Sequence, residues 1–335
     1  MGRSSVCLQN NERVRTVVPA EGAILERILE TTYPVWHQGL SRQAFARCDA
    51  AIGKTAWALR HRRGFALVER AHVLASAQRY DLTGRLDQRQ VRLCGIGAVF
   101  ADPVHDDGTH ARELIQWLLD DARQRGSDIA LLSLATHQPS YVPDGFEVIP
   151  TLDVELRVKE SSRRGAPMTL VRGGEDRDLA AIVAMGAARA AQFRFHLDRD
   201  VDRVKFAITT KRLLAGLGAA GRRQLQFVIA EEGITAAAYV VISIVDRTWT
   251  IEECGDRDPS GARVGAILQA LIAQEPAERR PVIRAWLPPR FVPPQITMLS
   301  ERPSEEVIML RVLSSTTGQR RLSTDDVLYW RSDIL

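Results

Sequence analysis

The chain has 335 residues, 45 % apolar and 26 % charged, with a formal net charge of +4. That length suits two domains better than one core, and the balance is that of a globular protein rather than a disordered one. The longest apolar run, AAAYVVISIV (236–245), is about half of what a bilayer requires, so no membrane-spanning helix is expected.

The N-terminal stretch MGRSSVCLQNNERVR has no apolar core for a secretory signal, and a cytoplasmic protein is expected. The four cysteines, Cys7, Cys48, Cys94 and Cys254, show no C-x-x-C spacing. They read as reduced, small buried side chains, with no metal site and no support for a catalytic thiol. Lysine occurs only at 54, 159, 205 and 211, and the other basic residues are arginines mixed with Asp and Glu. The densest runs, RHRR (60–63) and SSRRG (161–165), read as solvated surface, not as a nucleic-acid footprint with interleaved aromatics. A weakly basic surface also suits an anionic cofactor.

In chain order, VVPAEGAILERILE (17–30) belongs to the opening helices. TTYPVWHQGLS (31–41) follows as an irregular aromatic segment with Tyr33, Trp36 and His37. FALVERAHVLASAQRYDL (65–82) reads as one strand. A hairpin turn in TGRLDQRQ (83–90) joins it to the next, QVRLCGIGAVFAD (90–102). PVHDDGTHARELI (103–115) then turns into a helix whose Ala111, Leu114, Ile115, Leu118, Leu119 and Ala122 form one apolar stripe. DIALLSL (128–134) is the next strand, and KESSRRGAP (159–167) reads as a linker.

The order then repeats. LVRGGEDRDLAAIVAM (170–185) parallels 17–30. RQLQFVIAEE and ITAAAYVVISIV form a hairpin at Gly233, and TWTIEE (248–253) follows. In GARVGAILQALIA (261–273), Val264, Ile267, Leu268, Leu271 and Ile272 repeat the stripe at an offset of 153 residues, and PVIRAWL (281–287) repeats strand 128–134 at the same offset. Two tandem copies of one fold are therefore expected, at 1–158 and 168–335. Each is α+β, with a mixed, mostly antiparallel sheet flanked by helices. A Rossmann fold is disfavoured, because strand–helix–strand does not recur within a half.

At Val99–Phe146 the sequence resembles the GCN5-related N-acetyltransferases in tandem arrangement. It is most similar to two-domain bacterial members related to the enhanced-intracellular-survival acetyltransferases, without their third domain. The family has a strand, a Pro, and a turn Arg/Gln-x-x-Gly-x-Gly/Ala entering a helix. Here the strand is Val99-Phe100-Ala101, the Pro is Pro103, and the turn spans Asp106 to Ala111. Ala111 matches the last position. Asp106 stands where Arg or Gln is usual, and Thr109 where Gly is, with Gly108 one residue early. The family's Tyr four residues before Gly-Phe is matched by Tyr141, Gly145 and Phe146 in SYVPDGF.

The resemblance implies an acetyl-CoA-dependent N-acetyltransferase acting on the amine of a small molecule or peptide. Acetyl-CoA would be a co-substrate, and neither a metal, a nucleic acid nor a membrane would take part. Its pyrophosphate would rest on the helix start Asp107, Gly108, Thr109, His110, Ala111 and Arg112, where amide groups and the helix dipole favour anions. Its pantetheine arm would lie along Val99, Phe100 and Ala101. Tyr141 would protonate the leaving thiolate, since a phenol of pKa about 10 stays protonated at neutral pH. Glu69 and His72 are the candidate bases, and Tyr33, Trp36 and His37 the candidate acceptor wall. The second half keeps Gly261, Arg263 and Gly265 at a helix start but has LPPRFVPPQ (287–295) where a Tyr-x-x-x-Gly-Phe would stand, so it reads as a degenerate copy. The alternative from another class is a non-catalytic sensor or scaffold, because Asp106 and Asp107 can cap the helix with their own carboxylates. Oligomerisation is left open.

Overall fold

A computed structural model describes residues 15–70, 72–102, 108–135, 142–149, 151–160, 170–219, 221–314 and 321–334. The first copy starts with strand β1 (Arg15–Pro19) and helices α1 (Gly22–Trp36), α2 (Arg42–Gly53) and α3 (Ala56–His61). It continues with β2 (Arg62–Glu69), β3 (His72–Leu86), β4 (Arg89–Ala101), α4 (Thr109–Gln124), β5 (Ile129–Ala135), β6 (Glu147–Ile149) and β7 (Leu152–Val158). The second copy has β8 (Leu170–Gly173), α5 (Leu179–Ala190), β9 (Phe195–Leu197), α6 (Val201–Leu217), β10 (Arg223–Glu232), β11 (Thr235–Val245) and β12 (Thr248–Asp256). It ends with α7 (Ala262–Ala273), β13 (Val282–Ala285), β14 (Ile296–Pro303), β15 (Glu306–Val312) and β16 (Val327–Leu328).

Two sheets result. The first runs β1-β2-β3-β4-β5-β15-β6, with β9 against β3 and β16 against β9; the second runs β8-β10-β11-β12-β13-β7-β14. Position by position the two orders are the same, with β4 and β12 each paired in parallel to the following strand and antiparallel to the preceding one. The fold is therefore a pair of mixed, mostly antiparallel sheets flanked by helices, as the repeat predicts.

Sheet membership does not follow the two sequence halves. β7 lies between β13 and β14 of the second sheet, and β15 between β5 and β6 of the first. Each copy lends one strand to the other. Both strands carry the alternation of a strand that packs on a face: Ile308 is fully buried and Leu310 nearly so, as are Val154 and Leu156. β15 makes seven register pairs with β5, so it is an interior strand of the first sheet and not an edge ornament.

The apolar stripe of α4 is fully used: Ala111, Leu114, Ile115, Leu118, Leu119 and Ala122 are all buried against β3, β4 and β5. The stripe of α7 packs likewise on the second sheet. A third apolar cluster covers the other face of the first sheet, joining Leu93, Ile129 and Leu131 to Ile308, Phe195 and Tyr329 from the second half of the chain.

The segment 65–82 is not one strand. The chain folds back at Arg70, whose φ of 57° places it in the left-handed region, and Glu69 then pairs with His72. No Gly or Asn marks that turn, so the apolar alternation runs through it unbroken. The β3–β4 turn does carry a signal. Asp87 and Gln88 both take positive φ, 49° and 66°, which is the two-residue hairpin turn that matches strand twist.

Candidate active site

β4 and β5 pair only from Leu93 to Ile96, opposite Ile129 to Leu132. On its other edge β4 stays paired with β3 as far as Ala101 opposite Ala75. Past Ile96 the two parallel strands therefore part, and Val99–Ala101 keeps one edge outside the β4–β5 ladder. At the point of parting the strand is bulged: Gly97 faces Gln78, but the next paired residue is Phe100, facing Ser76. Ala98 sits at φ 46°, a conformation that costs an L-residue roughly 1–2 kcal/mol. A bulge removes a peptide unit from the ladder and re-aims it. Here it does so beside an opening between strands.

The strand leads to the start of α4. Its N-cap is Gly108 at φ 101°, which offers no side chain to cap the helix. Val99 and Ala101 are buried in the cluster beneath α4, and Ala111 packs there with them. The open edge of Val99–Ala101 is thus followed along the chain, at Gly108, by a helix N-terminus. That combination can hold an extended amide-bearing arm ending in an anionic group.

Of the expected acceptor wall, Trp36 reaches this strand. It meets Phe100 edge to face, with ring centroids 5.7 Å apart. Tyr33 and His37 turn instead into the α1–α2 connection. The Tyr33 hydroxyl donates to the Leu40 carbonyl at 2.9 Å, and Arg42 lies 4.6 Å over its ring. His37 Nδ1 accepts from the Gly39 amide at 3.0 Å. The two candidate bases face each other across the β2–β3 turn, beyond the end of β4. Glu69 is engaged by Arg15, at 3.6 Å, and Arg15 also binds Glu113 on α4 at 2.9 Å. His72 is exposed. Tyr141, Asp106, Asp107 and Pro103 lie outside the described residues, while Gly108, Thr109, His110, Ala111 and Arg112 form the first turn of α4 as expected.

Arg311 belongs to this region and has no sequence signal. It comes from β15, some 200 residues from the helix it approaches. With Thr109, Arg112, Gln116 and Asp144 it lines a cavity of 440 Å³ on the flank of α4. Burial, and then the charge of Arg123, push its guanidinium pKa down, so it favours an anionic neighbour. A rule that searches near the motif cannot find a residue delivered by an exchanged strand.

A larger cavity, of 660 Å³, lies elsewhere, at the far end of β3 around Asp81 to Arg85. Asp81 pairs with Cys94, six residues from Phe100 and so about 20 Å away at the rise of an extended strand. Size does not mark the place where the strands part.

The second copy has the same plan with a filled groove. β12 pairs with β13 only from Thr248 to Ile251, and its bulge falls at Glu252. At α7, however, the Arg263 amide donates to Asp256 at 2.8 Å. The ring of Phe291 lies against Gly261, and Gln295 against Gly265, so closely that neither glycine has room for a Cβ. Phe291 is buried in the core. A carboxylate and the Pro-rich segment thus stand where an anionic ligand would approach.

The described cysteines are all buried. Burial pushes Cys94 up to about 12, and raises Cys48 and Cys254 as well. They remain thiols at neutral pH and are no nucleophiles. Among the described residues no cluster of metal-ligating side chains occurs, and no helix is long and apolar enough to cross a membrane.

No protein-family model and no curated protein matches the chain. Solved structures do. A GCN5-related N-acetyltransferase from Anabaena variabilis is 13 % identical, covers 90 % of this chain and 73 % of its own, and superposes with a TM-score of 0.66. Eis1 from Mycobacterium abscessus is 16 % identical over 90 % of this chain and 74 % of its own, with a TM-score of 0.55. Saccharomyces cerevisiae N-myristoyltransferase, solved with bound myristoyl-CoA, is 10 % identical over 92 % and 85 %, with a TM-score of 0.52. At such identities the likeness is one of fold, and it spans both sheets: the chain has the GCN5-related N-acetyltransferase fold in tandem.

Proposed function

We propose that the first copy is an acyl-CoA-dependent N-acetyltransferase and that the second is a degenerate partner. The parting of β4 and β5 at a bulged strand that runs to the start of α4 carries this reading. Fold neighbours that are N-acetyltransferases support it at the level of reaction class.

In this reading acetyl-CoA lies between the strands. Its amide-rich arm pairs with the open edge of Val99–Ala101, and its pyrophosphate rests on the first turn of α4, flanked by Arg112 and Arg311. An amide N–H at the bulge polarises the thioester carbonyl. The acceptor, a small-molecule or peptide amine, approaches beside Trp36 and Phe100 and must lose a proton to attack. His72 is the freer of the two candidate bases, because Glu69 is engaged by Arg15. The new C–N bond forms as the C–S bond breaks, and Tyr141 gives its proton to the departing thiolate.

The test is a titration of acetyl-CoA, with thiol release then followed over a panel of primary amines. Binding with thiol release supports the proposal. Binding without release from any amine, or no binding at all, ends the acetyltransferase reading and moves the first copy to the non-catalytic sensor or scaffold reading.

A further inference from the structure

Trp36 stands at a weak end of α1. It is the last residue of that helix, and its ring meets Phe100 on the open strand. Pro34 lies in the same last turn and has no amide to give the Glu30 carbonyl. No basic side chain sits in that turn to answer the helix dipole. Beyond the cap residue His37, the chain leaves the helix through Gln38 at φ 47° and Gly39 at φ 84°. A left-handed residue after the cap is a common helix stop, but it suits Gly or Asn; the Cβ of Gln38 crowds it.

Part of what fastens this turn is local. The Leu40 amide donates to the His37 carbonyl at 2.8 Å, and the Tyr33 hydroxyl donates to the Leu40 carbonyl at 2.9 Å. The rest comes from the second copy. Leu40 is 3 % exposed and packs in one cluster with Leu213, Leu214 and Leu217 at the end of α6. Arg223, the first residue of β10, reaches Gln38 itself. One guanidinium nitrogen donates to the Gln38 side-chain carbonyl at 3.2 Å, and the other to its main-chain carbonyl at 3.4 Å. A planar, forked cation suits two acceptors at once. The strained residue of the turn is thus the one that the second copy grips, two positions from Trp36.

We propose that Arg223 is a positioning residue for the acceptor wall of the first copy: from the second copy it fixes the α1–α2 turn, and with it Trp36 against Phe100. This gives the second copy a task that needs no cofactor of its own. The part in acceptor recognition rests on the acetyltransferase reading; the hold on Trp36 does not.

The test uses the full chain carrying 5-fluorotryptophan, read by fluorine NMR, with the Trp36 resonance assigned from Trp36→Phe. Arg223→Ala should shift or broaden that resonance and leave that of Trp117 in place. Arg223→Lys, which keeps a cationic donor, should restore most of it. Arg222→Ala, whose side chain faces Asp246 instead, should change nothing. Asn takes the left-handed backbone more readily than Gln, so in a Gln38→Asn background Arg223→Ala should disturb Trp36 much less. An unmoved Trp36 resonance in Arg223→Ala overturns the proposal. So does an equal disturbance in both backgrounds, which would mean that Arg223 does not act through the turn. For the primary amine of the panel that releases thiol fastest, Arg223→Ala should raise KM about five- to tenfold and leave kcat within about twofold, the mark of lost uniform binding. Acetyl-CoA affinity should not change. A fall in kcat at constant KM, or weaker acetyl-CoA binding, also overturns the proposal. If no amine releases thiol from the unaltered chain, the acetyltransferase reading falls, and the Trp36 resonance alone decides whether Arg223 holds the turn.

Discussion

Ile308 lies in the second half of the sequence but is fully buried in the first sheet, among Leu93, Ile129, Leu131 and Ile149. Ile308→Ala removes three buried carbons. At about 0.8 kcal/mol per methylene the transfer loss is about 2.4 kcal/mol. The cavity left behind adds to it, for a total of about 3–4 kcal/mol. That is a large part of a typical domain stability of about 5–15 kcal/mol. Hydrogen exchange read by mass spectrometry over β4, β5 and β6 should then speed up by about two orders of magnitude wherever exchange needs the sheet to open, since 1.4 kcal/mol is a factor of ten. Peptides of β10 to β13 should change much less. Leu156→Ala on β7 should show the reverse pattern. If Ile308→Ala loosens β10 to β13 and leaves β4 and β5 protected, the strands are not exchanged and the topological argument is wrong.

Tyr141→Phe should lower turnover about 10²-fold while leaving coenzyme A affinity nearly unchanged, because an acid acting only on the leaving group contributes at that step; equal turnover removes Tyr141 from the mechanism. Asp106→Arg with Asp107→Gly restores the usual composition of the phosphate turn and should tighten acetyl-CoA binding at least about tenfold, with a gain that shrinks at high salt. Arg311→Ala should weaken acetyl-CoA binding several-fold and flatten its salt dependence, and an unchanged titration excludes it as a phosphate contact. Cys94 is held near 12 by burial, so the folded state keeps its proton where the unfolded chain has lost it. Its stabilising contribution is present below the unfolded thiol value of about 8.5 and declines as pH rises toward 12. Thermal unfolding midpoints should fall over that window, and Cys94→Ala should make the fall shallower.

Much of this protein is decided locally and was legible in the sequence. The stripe from Ala111 to Ala122 sets the buried face of α4, because residues three and four apart share one side of a helix whatever the neighbours are. The 153-residue repeat announces two copies, and α4 and α7 start at Thr109 and Ala262 as it requires. The filled groove at α7 had a partial signal in the four prolines of 287–295. Which sheet takes β7 and which takes β15 was not legible. The two strands occupy the same place in two like copies, and their alternation satisfies either slot. Only the path of the whole chain chooses between them, and with it brings Arg311 to α4. The left-handed Ala98 and Arg70 were hidden for a related reason: neither residue type prefers that backbone, and strand pairing on both sides imposes it. The 660 Å³ cavity at the far end of β3, which Gly186, Ala187 and Ala190 of α5 help to line, is likewise a tertiary fact. A run of Gly and Ala in a helix looks like close packing in one dimension, and becomes empty volume only because the chain that faces it stays away.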